Sequence, residues 1–110
     1  MIGYGLAGSV FHAPLIASTA GLVVSTVVTG NPQRQAEATR AHPDSQVVSD
    51  PAEVFERAPE HDFVVVAAPN DVHVDLARRA LDAGLQVVVD KPLAPTAAEA
   101  RSLVEQAEGL

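Results

Sequence analysis

The sequence predicts an α/β fold with a parallel, doubly wound sheet, and three observations carry that prediction. Short β-branched runs alternate with longer amphipathic stretches along the whole chain, the pattern of βαβ units. Two of the runs, at 64–66 and 87–89, are uninterrupted Val-Val-Val, which suits strands covered on both faces. A glycine-rich turn, GYGLAG at 3–8, stands at the start of the first helical stretch.

The elements follow in order. The glycine turn leads into a helix predicted from Ala7 to about Thr19, despite Pro14. A strand is predicted over 22–29, and then Asn31 followed by Pro32 opens a second helix, with a capping side chain and a proline where its missing N–H costs nothing. After a strand at 46–48, Asp50, Pro51 and Glu53 repeat that capping logic for a third helix. A strand at 63–67 precedes a helix over 72–83, which Gly84 ends as a left-handed stop. The last strand, 86–89, is followed by Thr96 and Glu99, a capping box for a helix that fades at Gly109. No internal repeat or linker interrupts the pattern.

Composition narrows the class of function. The chain has 110 residues, about one domain. Its net charge of −7, with arginines scattered, opposes general nucleic-acid or anionic-membrane binding. The absence of cysteine removes disulfides and thiolate metal sites, and no apolar run is long enough for a spanning helix. A reducing cytoplasm is the expected location.

The turn at 3–8 reads G-x-G-x-x-G, the dinucleotide-binding pattern of the Rossmann fold. Gly3 makes the turn off a strand, Gly5 lets backbone approach a pyrophosphate, and Gly8 allows the helix to pack closely on the sheet. Tyr4, Leu6 and Ala7 complete the cofactor-binding turn. Only Met1 and Ile2 precede it, whereas the fold calls for a central strand there. Losing most of that strand forfeits about five to eight ladder hydrogen bonds at roughly 0.5–1.5 kcal/mol each, against a net domain stability of about 5–15 kcal/mol. The expectation is therefore that residues 1–110 are a dinucleotide-binding domain from a longer protein, with its first strand largely missing, and that they fold poorly alone.

The glycine turn, APNDVH at 68–73 and VDKP at 89–92 all fall at the C-terminal ends of predicted strands, where open parallel sheets bind ligands. GYGLAGSVFHAP, APNDVH, AL-x-AG and VVVDKP, in that order, resemble the cofactor-binding domain of the Gfo/Idh/MocA oxidoreductase family over nearly the whole chain. Family members usually have Glu-Lys-Pro where this chain has Asp90-Lys91-Pro92. That aspartate, with FHAP in the first helix, is similar to the branch that includes NADP-dependent scyllo-inositol dehydrogenases.

The resemblance assigns Lys91, the only lysine, to the active site, hydrogen-bonding the substrate hydroxyl or carbonyl oxygen beside the nicotinamide. A compact ammonium stabilises charge developing on that oxygen and can join a proton relay, which arginine's permanently protonated fork cannot. The alternative is a surface lysine paired with Asp90. The resemblance also implies a cis Lys91–Pro92 bond. Asp90 could orient Lys91, bond the nicotinamide ribose, or simply end the strand. Ala68 and Pro69 belong to the cofactor-facing loop. From the Pro-Asn-x-x-His motif, Asn70 lies near the nicotinamide and His73 in the first helical turn; by themselves they read as a helix cap and a packed histidine. His12, one turn beyond the glycine loop, braces that loop or contacts cofactor. His42 and His61 sit in polar connections and suggest no role. Asp71, His73 and Asp75 do not make a metal site, because i,i+2 spacing splits their directions on a helix.

The strand end at 27–35, VVTGNPQRQ, lacks the acid that usually accepts the adenine ribose hydroxyls in NAD-preferring domains. Thr29, Asn31 and Arg34 could instead cradle a 2′-phosphate, so NADP is favoured over NAD; the alternative is a solvated Arg34. The resemblance implies a dehydrogenase for sugars, inositols or related polyols. It also implies a second α+β domain, beyond residue 110, that completes the active site and forms a homo-oligomer interface. Two other classes share parts of the pattern. A nucleotide-sensing module would leave the Lys91 loop unexplained, and an S-adenosylmethionine methyltransferase would want an acid near Asn31.

Overall fold

The computed structural model describes residues 1–109. Its sheet is entirely parallel. Strand β1, Thr26–Val28, pairs with β2, Gln46–Val48, and strand β3, Phe63–Val66, pairs with β4, Gln86–Val89. Ile2 joins the two pairs, bridging Val28 on one side and Val66 on the other. The order across the sheet is therefore β2, β1, the Met1–Ile2 segment, β3, β4. Four backbone hydrogen bonds make this seam: Ile2 N–H to Val65 O, Gly3 N–H to Val28 O, Val28 N–H to Met1 O and Ala67 N–H to Ile2 O, all between 2.8 and 2.9 Å.

Helices cover both faces, as a doubly wound sheet requires. Helix α1 starts as a π-helical turn, Ala7–His12, and continues as α-helical Ala13–Ala17. Pro14 accounts for the wide turn. A regular helix would drive its ring into the carbonyl four residues back; here the Ala13 amide instead reaches the Gly8 carbonyl, one residue further than α-helical spacing. Helix α2, Pro32–Ala41, is capped as expected, with Asn31 Oδ1 accepting from the amides of Gln33 and Arg34 at 2.9 and 3.1 Å. The short α3, Ala52–Glu56, has Asp50 Oδ1 on the Ala52 amide, and a single 3₁₀ turn at Ala58–Glu60 follows. A second 3₁₀ turn, Asn70–Val72, opens α4, His73–Asp82, and Gly84 follows with φ +83°. Thr96 caps α5, Ala97–Glu108, through the Glu99 amide, while its hydroxyl donates to the Glu99 carboxylate.

The alternation of strand side chains sorts the valines between two cores. Val27 packs with Tyr4, Ala13, Val24 and Ala38 beneath α1 and α2, with Val47 at its margin. Val28, Val64 and Val66 pack with Ile2, Val54, Leu76, Ala80 and Leu85 beneath α3 and α4. A third cluster, Ala77, Leu81 and Leu103, joins α4 to α5 against Val87 and Val89. The strand expected over 22–29 is shorter in the structure. Leu22 and Val23 are exposed, and strand pairing covers Thr26–Val28, where Ile2 and β2 lie alongside, with a bond from Gln46 N–H to Ser25 O and one from Thr29 N–H to Val48 O at its ends.

Leu85 is buried in the larger core, so Leu85→Ala is expected to cost about 2–5 kcal/mol in urea unfolding. Thr96→Ala removes only an exposed cap and is expected to cost about 1 kcal/mol in the same measurement.

Candidate functional site

The C-terminal ends of the strands open onto a cleft of about 650 Å³, in the range of small-molecule sites. It is floored by the glycine turn and walled on one side by Thr29 to Asn31 and Arg34, on the other by Ala67 to Pro69 and Asp90. The turn's tightness explains two of its glycines. A Cβ on Gly8 would lie 2.5 Å from the Gly3 carbonyl oxygen, and one on Gly3, itself at φ +99°, would lie 2.6 Å from the Ala67 oxygen. The helix start, the first turn and the β3 loop are thus in backbone contact, with no room for side chains between them. Gly5 differs: what stands over it is the Arg34 guanidinium, 3.8 Å from where a Cβ would be. Arg34 is therefore an exposed cation leaning over the glycine turn.

The β1 end is organised by local bonds. Thr29 is buried, and its hydroxyl accepts from the Asn31 amide at 3.3 Å, while Asn31 spends its side-chain oxygen on the α2 cap. Pro32 has no N–H and the Gln33 and Arg34 amides are taken by Asn31, so the donor facing the cleft at this end is the Arg34 guanidinium. Tyr4 contributes backbone to the cleft, but its ring is buried in the α1/α2 core and stacks edge-on with His42 at 6.1 Å. Burial, and then the Glu37 carboxylate, push its phenol above the usual range. Leu6 and Ala7 sit at the start of α1, Leu6 exposed and Ala7 lining the cleft.

The remaining two loops are tied together by His73. This side chain is fully buried, with Nδ1 2.8 Å from the Pro92 carbonyl oxygen and Nε2 2.7 Å from the Ala68 carbonyl oxygen. A ring carrying both protons satisfies both carbonyls; a neutral ring satisfies one. His73 thus holds the APN loop against the Asp90-Lys91-Pro92 loop from beneath, with Asn70 and Pro69 exposed above it. The Lys91–Pro92 peptide is cis. Lys91 is exposed, and among the described residues it forms no ion pair with Asp90. The Asp90 carboxylate is engaged elsewhere, 3.2 Å from His12 Nε2.

Pro51, Val72, Asp75, Leu76 and Arg79 also line the cleft, and the sequence reading placed none of them there. Their signal was there: Pro51 caps the helix after β2, and Val72, Asp75, Leu76 and Arg79 are spaced three and four apart on the face that α4 turns to the sheet edge. Arg79 stacks on the Phe55 ring at 4.9 Å and pairs with Asp75 at 3.7 Å.

A glycine turn with no space for side chains, a helix start facing a cleft, and a cation over that turn fit a bound pyrophosphate, and together they define a dinucleotide-binding Rossmann domain. Comparison with known proteins agrees. The model of the Gfo/Idh/MocA oxidoreductase family, NAD-binding Rossmann fold, matches residues 1–110, and the chain belongs to that family. It is 43% identical over 110 residues to the uncharacterized oxidoreductase YdgJ of Escherichia coli, covering 100% of this chain and 31% of YdgJ. It is 34% identical over 108 residues to the scyllo-inositol 2-dehydrogenase (NADP(+)) IolW of Bacillus subtilis, covering 98% and 29%. The crystal structure of a Gfo/Idh/MocA family oxidoreductase from Vibrio cholerae superposes with a TM-score of 0.87 at 31% identity, covering 99% of this chain and 34% of that one. The chain spans about a third of the length of these relatives.

Gly8→Ala is expected to push the helix start off the Gly3 carbonyl and to weaken binding of NADH or NADPH at least tenfold, about 1.4 kcal/mol, in a titration followed by cofactor fluorescence.

Proposed function

We propose that this chain is the cofactor-binding part of an NAD(P)-dependent dehydrogenase that moves a hydride between nicotinamide and a secondary alcohol of a sugar, inositol or related polyol. One observation carries the reading: Asp90, directly before the only lysine, lines the same cleft as the glycine turn, which supports a position for Lys91 at the rim of that cleft. The likeness to IolW, a scyllo-inositol dehydrogenase, supports the polyol class.

The nicotinamide, when bound, accepts or supplies the hydride. The chain's own groups do the rest. The glycine turn and the first turn of α1 present amides to the phosphates, and Arg34 adds a positive charge above Gly5. Lys91 donates from Nζ to the substrate oxygen, stabilising the negative charge that grows there in the reductive direction and delivering its proton. In the oxidative direction the same nitrogen takes up the hydroxyl proton. The reading places a second domain, which closes over the substrate and carries a homo-oligomer interface, in the remainder of a longer polypeptide.

NADP is the cofactor this site favours. The β1 end carries Thr29, Gly30 and Asn31 with no acid, and Arg34 is the cation within reach.

Two substitutions in the full-length protein check these assignments. Lys91→Met is expected to lower kcat by at least about a hundredfold, the scale of a lost proton-transfer group, while NADP affinity measured by fluorescence stays within about threefold of the parent; near-normal turnover refutes the role of Lys91. Arg34→Ala is expected to lower the ratio of NADP to NAD affinity roughly ten- to hundredfold, and an unchanged ratio refutes the 2′-phosphate assignment.

A further inference from the structure

The His12–Asp90 contact joins residues 78 positions apart, and nothing in the dinucleotide site requires it. Its two ends are well defined. Asp90 is fixed through its backbone, whose amide donates to Val66 O at 2.9 Å and prolongs the β3–β4 ladder past the end of β4. His12 is the last residue of the π-helical turn, in the helix that leaves the glycine loop. That turn carries one extra residue because of Pro14, and wide turns of this kind gather at functional sites. The next residue, Ala13, is fully buried in the α1/α2 core, so the backbone that carries His12 is anchored. The histidine and aspartate side chains are 25% and 31% exposed, which places the contact at the rim of the cleft and outside the apolar cores.

We propose that His12 is a positioning residue: through its bond to the Asp90 carboxylate it sets the direction of the Lys91 loop relative to the glycine turn. Asp90 has two other uses open to it, pairing with Lys91 or reaching toward cofactor, and the histidine holds its carboxylate away from the first. Among the described residues Lys91 Nζ then has no ion pair, and it is available to a substrate oxygen. His73 fixes the same loop from the opposite side, through the Pro92 carbonyl. The loop that carries Lys91 is therefore held at both flanks, at Asp90 by α1 and at Pro92 by α4. Misplacement of a reacting group by about 1 Å can cost on the order of a hundredfold in rate, so a tether one residue away from Lys91 has leverage on turnover.

This inference rests on the reading of Lys91 as the substrate-facing group, and the test keeps the two apart. In the full-length protein, His12→Leu removes the donor, His12→Gln keeps an amide N–H at similar reach, and Asp90→Asn alters the partner. Two readouts are taken: turnover of scyllo-inositol with NADP, and the rate at which acetic anhydride acetylates Lys91 with NADP bound, followed by peptide mass spectrometry. The second needs no substrate.

His12→Leu is expected to lower kcat about tenfold with little change in NADP affinity, and to change the Lys91 acetylation rate severalfold. His12→Gln is expected to restore most of both, and combining His12→Leu with Asp90→Asn to cost no more than the worse single change. Unaltered acetylation in His12→Leu, or full additivity of the two substitutions, overturns the proposal. Should His12→Leu fail to fold, His12→Gln and Asp90→Asn decide: acetylation like the parent in the first and altered in the second supports the tether, and any other pair of results overturns it. Normal turnover in Lys91→Met would refute the catalytic reading alone, since the acetylation rates would still report whether His12 steers the loop.

Discussion

The double pairing of Ile2 is the constraint on which the rest of the structure depends. Its backbone bonds to Val65 and Ala67, with those of its neighbours to Val28, are the only ladder between β1–β2 and β3–β4 among the described residues. Because all strands run parallel, each C-terminal end arrives at the same edge, and the turn that follows Ile2 emerges between the β1 and β3 loops. The contact between the Gly3 region and Ala67 is a direct result of that seam. A site made of three loops exists because one two-residue segment holds two half-sheets in register.

Around that seam the molecule divides its labour between packing and polarity. Aliphatic side chains fill both faces of the sheet, and among the described residues the buried polar ones are few: Thr26, Thr29 and His73. Each has a partner. Thr26 meets His61 Nε2 at 3.0 Å, Thr29 accepts from Asn31, and His73 lies within hydrogen-bond distance of two carbonyls. Two of the three lie at the ligand edge, where loops expose backbone carbonyls that no ladder can satisfy. His73 is the clearest instance, since it replaces the missing strand partner for two loops at once. Its place under the site follows from satisfying the backbone, and the residues it supports, Asn70 and Lys91, are the ones left facing outward.

The glycine turn and the Lys91 loop lie more than eighty residues apart in the chain. In this fold they are mechanically connected through α1. The helix is bent to a wide turn by Pro14, and the side chain that closes that turn meets the residue before Lys91. A helix whose start lines the cleft thus reaches the Asp90–Pro92 loop one turn later.

Much of this was legible in the amino-acid order. Strand and helix alternation, the caps at Asn31, Asp50 and Thr96, the stop at Gly84 and the dinucleotide turn depend on spacings of two to six residues, and local sterics and hydrogen bonds decide such features wherever the segment finally sits. Other features could be settled only by the folded chain. The strand expected from residue 22 shortened to Thr26–Val28 because a ladder needs neighbours, and those are supplied by Ile2 and Gln46–Val48. Tyr4 turned its ring into a core, Asp90 chose His12 over the adjacent Lys91, and Arg79 and Pro51 entered the cleft wall. These outcomes are contacts across tens of residues, and which side chains meet there is set by how the sheet closes, a quantity that no local pattern contains.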